Sequence, residues 1–181
     1  MKVGVFNADW SKDYYWNNGA ATVAVSAPPA ASADPAQYNF EAGTQGWASS
    51  GGMIAGVSSS TAQAFAGTHS LAVQFAGSGA DTQIVFVSAP PTPAGKTVTF
   101  HVWIPPGSAV TAVQPYVQQG AAGGWLWTGD WQPASSLTPG AWNTLTVTVP
   151  ANAATPLYQL GVQFFTNAPW SGTCYVDSVG W

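Results

Sequence analysis

Charge is what this chain has least of. Of its 181 residues only 6% are charged, with three lysines, no arginine and seven acidic side chains. Ordinary soluble domains carry roughly a quarter charged residues. Binding to nucleic acid or to an acidic membrane surface rests on clustered Lys and Arg, so both partners are excluded. The net charge of −4 is small and scattered and points to no electrostatic partner. Cysteine is also scarce. Cys174 is the single one, so it has no internal disulfide partner and no companion for a thiolate metal site. Set in TCYVDSV, it reads as a small buried hydrophobe. No apolar run approaches membrane-spanning length. Met1-Lys2 is followed by VGVFNAD, too polar and too short for a signal-peptide core.

What is present is apolar and aromatic. Hydrophobic residues make up 46% of the chain, with ten tryptophans and six tyrosines. Strand-like runs recur between Gly and Pro turns: AFAGTHSLAVQF, TQIVFVSAP, KTVTFHVWIPPG, AVQPYVQQG, GWLWTGDW, GAWNTLTVTVP, PLYQLGVQFF and TCYVDSVGW. Helical periodicity is almost absent. This spacing predicts an all-β fold, a two-sheet antiparallel β-sandwich over residues 38–181. Ahead of it, VGVF and ATVAVSA read as two strands around a turn at Asn17-Asn18-Gly19. Residues 1–27 thus form an N-terminal β-hairpin or the remnant of an upstream module. Residues 28–37, rich in Pro, Ala and Ser, read as a semi-rigid linker.

Alternation assigns the faces. Val98, Phe100, Val102 and Ile104 point in, as do Leu145, Val147 and Val149 and then Leu160, Val162 and Phe164. Ile84 and Phe86 are expected inside, with Gln83 opposite. In Gln114–Trp131, Val113, Pro115 and Val117 share one side, and Gln114, Tyr116 and Gln118 the other. Beyond the GAAGG turn, Trp125 and Trp127 share a face and Leu126 takes the opposite one. Aromatic rings beside flexible amides suit a sugar: rings stack on the apolar C–H face of a pyranose, and amides bond its hydroxyls. Leu126, Val113 and Val117 supply the core-like phase, so the tryptophans are not needed to fill a core.

Three motifs, FEAGTQGW (40–47), AGTHSLAV (66–73) and YVDSVGW (175–181), with the middle block VQPYVQQG…WLWTGDW…LTPGAWNTLTV, resemble the carbohydrate-binding modules of β-jelly-roll type that accompany secreted polysaccharide-degrading enzymes. The resemblance implies a jelly roll with TQIVFV, YQLGVQFF, VQPYVQQ and WLWTGDW in one sheet and SLAV, TVTFHVW, WNTLTVTV and YVDSVGW in the other. It implies that Gln114, Tyr116, Gln118, Trp125, Trp127, Gln159 and Gln163 line a concave cleft for a neutral plant-type polysaccharide or oligosaccharide, β-glucan or mannan. It further implies a structural calcium at Glu41, Thr68 and Asp177, a secreted, extracellular setting, and a catalytic domain in the parent chain.

An enzyme is not expected. Glycoside hydrolysis needs two carboxylates flanking the bond, and Asp130, the acid nearest the aromatic stretch, lies in the phase opposite to Trp127. His69 and His101 sit in no catalytic or metal motif. The competing reading is a structural subunit of an extracellular filament or coat, assembled by adding the N-terminal strand to a neighbour's sheet edge.

Overall fold

In the computed structural model the described residues are 3–6, 13–17, 36–77 and 82–181. The chain divides into two units, Met1–Ser32 and Ala33–Trp181. In the first, β1 (Val3–Phe6) pairs antiparallel with β2 (Asp13–Asn17). The partner of VGVF is therefore DYYWN, where the sequence pattern predicts ATVAVSA. ATVAVSA and linker residues 28–35 lie outside the described residues.

The second unit is built from β3 (Ala48–Ser50), β4 (Ile54–Ser60), β5 (Ser70–Ala76), β6 (Thr82–Ser88), β7 (Thr97–Trp103), β8 (Val110–Gln118), β9 (Trp127–Gly129), β10 (Gln132–Pro133), β11 (Trp142–Thr148), β12 (Gln159–Thr166) and β13 (Ser171–Gly180). A six-stranded sheet runs β10-β8-β12-β6-β3, with β9 also on β8; a five-stranded sheet runs β11-β7-β13-β5-β4. All ladders are antiparallel. This is the expected sandwich, with strands distributed between the sheets as the resemblance implies. The three-residue strand β3 and the seven-residue strand β4, in a Ser- and Gly-rich stretch with little alternation, are additions. Helical structure among the described residues is limited to two single 3-10 turns, at Ala121–Gly123 and Ala134–Ser136, and no helix is long and apolar enough to cross a membrane.

The core lies between the sheets. Val98, Phe100 and Val102 from β7, Leu145 and Val147 from β11, and Leu160, Val162 and Phe164 from β12 are buried there, as alternation predicts. Cys174 is fully buried, and burial pushes its thiol pKa up.

One strand is turned over relative to expectation. In β6 it is Gln83, Val85 and Val87 that are buried, while Ile84 and Phe86 lie on the outer face. Run TQIVFV is apolar in both phases, so its own pattern cannot choose. Pairing chooses: Val162 of β12 sits opposite Val85, and Gln163 opposite Ile84. The inward Gln83 amide is half satisfied: its Oε1 accepts the Met53 N–H at 2.8 Å, while its buried Nε2 has no hydrogen-bond partner among the described residues.

Candidate functional site

The outward face of the six-stranded sheet carries the residues singled out by alternation. Gln118 is paired with Gln159, and Gln114 with Gln163, across β8 and β12. The two glutamine pairs are four residues apart along β8, about 14 Å. Between them Tyr116 faces Gly161. Gln114, Gln118, Gln159 and Gln163 are all half-buried. Among the described residues only Gln159 of these four makes a side-chain hydrogen bond, accepting from the Tyr116 hydroxyl at 3.2 Å. The remaining amides keep donors and acceptors for another partner.

Tyr116 does not take the place expected of it. Its exposure is 0%. Trp127 lies stacked on its ring, with centroids 3.8 Å apart and planes inclined by 13°. Beneath it is Gly161, where an added Cβ would come within 2.9 Å of the tyrosine ring. Glycine is thus what lets the ring lie flat on the sheet. The ring that can receive a ligand is Trp127, 40% exposed, and Tyr116 is its support. Burial, and then the neighbouring Tyr158, raise the Tyr116 pKa, so the phenol stays protonated and can donate to Gln159.

Trp125 also differs from expectation. It stands in a turn with φ of 61°, ahead of β9, where strand alternation does not apply. It is 53% exposed and meets Tyr158 edge-on, with centroids 5.0 Å apart. Tyr158 immediately precedes Gln159, so the pair flanks the upper glutamines. At the other end Trp131, 50% exposed, packs on Phe165 of β12 at 4.2 Å. The pairing of β9 and β10 with β8 keeps one register, and the Asp130 N–H donates to the Pro115 carbonyl between them, which sets Trp131 beside Gln114. Sequence reasoning missed Trp131, Tyr158 and Phe86 as members of this face. Counting alternation on from Trp127 through Gly129 would have reached Trp131. Phe86 was hidden by the wrong phase for β6. Gly129 has its own role: a Cβ there would come within 2.6 Å of Gln114 Nε2.

Glu41 and Asp177 lie elsewhere. Glu41 accepts from Thr68 N–H and Thr68 Oγ1–H, both at 2.7 Å, and from His69 N–H at 2.9 Å; His69 Nδ1 is 3.1 Å away. The Thr68 hydroxyl above all holds the Glu41 carboxyl at about 2; partial burial opposes it, and the Thr68 and His69 backbone N–H groups and the His69 ring add to the lowering. Asp177 is fully buried and accepts from Phe65 N–H (2.7 Å), Ala66 N–H (3.3 Å) and Ser178 N–H (2.6 Å). Both carboxylates therefore grip the 65–69 turn, which is where the resemblance assigned calcium. Calcium takes six to eight oxygen ligands. The groups facing these carboxylates are mostly N–H donors, of the wrong polarity for a cation, so as arranged Glu41, Thr68 and Asp177 do not fit the ion. Among the described residues no group of three or more His, Cys, Asp or Glu could hold a metal.

Residues 38–178 match the family model described as mannanase, galactose-binding domain-like. Among solved structures, the chain is similar to one reported for the promiscuous specificity of carbohydrate-binding modules of the β-sandwich superfamily. The identity is 31% and the TM-score 0.72, over 82% of this chain. The chain spans only 62% of that protein's length. CBM27-1 of Caldicellulosiruptor saccharolyticus, solved with mannohexaose, matches with 18% identity and a TM-score of 0.58 over 78% of this chain and 93% of its own. A module described as specific for non-crystalline cellulose, CBM28, matches with 16% identity and a TM-score of 0.57, over 79% of this chain and 91% of its own. These last two likenesses are of fold. No curated protein matches the sequence.

Proposed function

The chain belongs to the mannanase galactose-binding-domain-like family, and on that footing we propose that it is a non-catalytic module that binds neutral polysaccharide along the outward face of its six-stranded sheet. One observation carries the reading: two in-register glutamine pairs, Gln114–Gln163 and Gln118–Gln159, lie between the exposed rings of Trp125, Trp127 and Trp131. Amides with spare capacity bond hydroxyls, and exposed rings stack on sugar C–H faces. No Lys or Arg is needed for an uncharged ligand. Asp130, the acid nearest in sequence, lies on the far side of the β9–β10 ribbon, so it offers no carboxylate pair across this face. Within the class we favour mannan or β-glucan, the mannan limb supported by the family description. A secreted setting and a catalytic domain in the parent chain follow from the same reading.

Each hydroxyl–amide bond nets only about 1 kcal/mol because water competes for both partners, so the rings carry much of the affinity. Binding is expected in the micromolar range and insensitive to salt, since no ion pair contributes. Isothermal titration calorimetry of wild type and Trp127→Ala against mannan, β-glucan, xylan and cellulose oligosaccharides tests this. Trp127→Ala is expected to lose about 1–3 kcal/mol of binding. Unchanged affinity, or unfolding of the variant, places the site elsewhere.

A further inference from the structure

A polar cavity lies outside the glutamine face. Its volume is about 360 Å³, and its walls include Asp130, Gln132, Ser136, Trp142, Thr144 and Thr146. It sits where the two sheets end. β9 and β10 are outermost on the first sheet, and β11 is outermost on the second. Along the ribbon from Trp127 to Pro133, Trp127 and Trp131 face the glutamines, while Asp130 and Gln132 fall in the alternate phase. That phase is inward, but here the core has ended, and the inward side opens on the edge strand β11.

The walls are prepared in advance. Gln132 Nε2 donates to Asp130 Oδ2 at 2.9 Å, and Ser136 Oγ donates to the Pro133 carbonyl at 2.8 Å with Gln132 Oε1 at 3.5 Å. No cation pairs with Asp130 among the described residues. On the opposite wall Asn143 clamps the turn into β11, accepting from Thr138 N–H and donating to the Thr138, Ala141 and Val102 carbonyls. Trp142, held at that turn, meets Phe65 edge-on at 6.0 Å.

We propose that this cavity is a second saccharide site, taking one or two sugar units rather than a long chain. No Lys or Arg lines it, which removes anions as ligands. A carboxylate backed by an amide, with Ser136, Thr144 and Thr146 also lining the cavity, suits neighbouring ring hydroxyls, because a hydroxyl donating to a carboxylate makes the stronger class of hydrogen bond. Trp142 offers the apolar surface a pyranose needs. The volume is at the low end of the roughly 300–1,000 Å³ of small-molecule sites, which sets the length of the ligand. Both sites hang on one ribbon, Trp127 and Trp131 on one side of it and Asp130 on the other, so one module can engage two points of a polysaccharide network. The ligand class rests on the function proposed above; the site itself rests on the cavity.

The test is an amide and indole NMR titration of the full chain with mannobiose, cellobiose and xylobiose, on wild type, Trp127→Ala, Asp130→Ala and Thr144→Val. The expected result is that Trp142, Gln132 and Ser136 signals move with at least one disaccharide in wild type and in Trp127→Ala. They should weaken about tenfold or more in Asp130→Ala, and measurably in Thr144→Val should the first variant not fold. Movement at the cavity without movement at Trp127 and the glutamines would remove the proposed cleft and leave this site standing. Movement at the glutamine face alone, or at neither, would overturn the cavity as a saccharide site and leave it a water-filled seam.

Discussion

The two ends of the acceptor inventory in this sandwich are used in opposite ways. On the outward face of the six-stranded sheet, Gln114, Gln118 and Gln163 make no side-chain hydrogen bond among the described residues, and the tryptophans beside them are 40–53% exposed. At the 65–69 turn, Glu41 and Asp177 are committed to backbone N–H groups. The first region holds its polar atoms in reserve for something outside the protein. The second spends them on its own chain. In a chain with 6% charged residues, the Glu41 and Asp177 carboxylates go to structure and the amides of the outward sheet face to recognition. Substitutions in the two regions should therefore separate stability from binding.

The largest effect is expected from Asp177→Ala. It leaves three N–H groups without their acceptor, each costing about 1–3 kcal/mol when buried, so stability should fall by about 3 kcal/mol or more. Urea unfolding measures it. The same protein melted in EDTA should show an unchanged Tm, because hydrogen bonds hold this turn. A chelator-induced drop would return these carboxylates to calcium and dissolve the contrast.

Next comes a pH effect from Glu41. Its folded pKa, about 2, is below its ordinary 4.5. The unfolded chain binds the proton more readily, so this contribution is complete above about pH 4.5 and is lost as pH falls through about 2. The side chain is a third exposed, and solvent screening keeps the contribution to about 1 kcal/mol or less. Urea titrations between these limits should show wild-type stability falling with acid, and Glu41→Gln should flatten that slope.

The smallest stability effect is expected from Gln163→Ala. It removes no side-chain hydrogen bond among the described residues, so Tm should hardly move. Glycan binding should weaken by about 1 kcal/mol, the net value of one hydroxyl–amide bond. A Tm loss comparable to that of Asp177→Ala would show that the glutamines are structural after all.

Much of this was legible in the residues. Period-two alternation between Gly and Pro turns marked most strands and grouped the four glutamines on one face, because a strand's side chains must alternate whatever their neighbours are. It also set Asp130 opposite Trp127. Three things were decided only by tertiary structure. The phase of β6 was one: TQIVFV is apolar on both sides, and only its pairing with Val162 turned Gln83 inward and Phe86 outward. The second was Tyr116, whose face was read correctly but whose ring is covered by Trp127 arriving from beyond a turn; alternation states which side a residue is on, not what is folded over it. The third was the use of Glu41 and Asp177. Their proximity to one loop followed from the motifs, but whether that loop turns carbonyls or N–H groups toward a carboxylate depends on its backbone dihedrals, which no residue pattern of this length dictates.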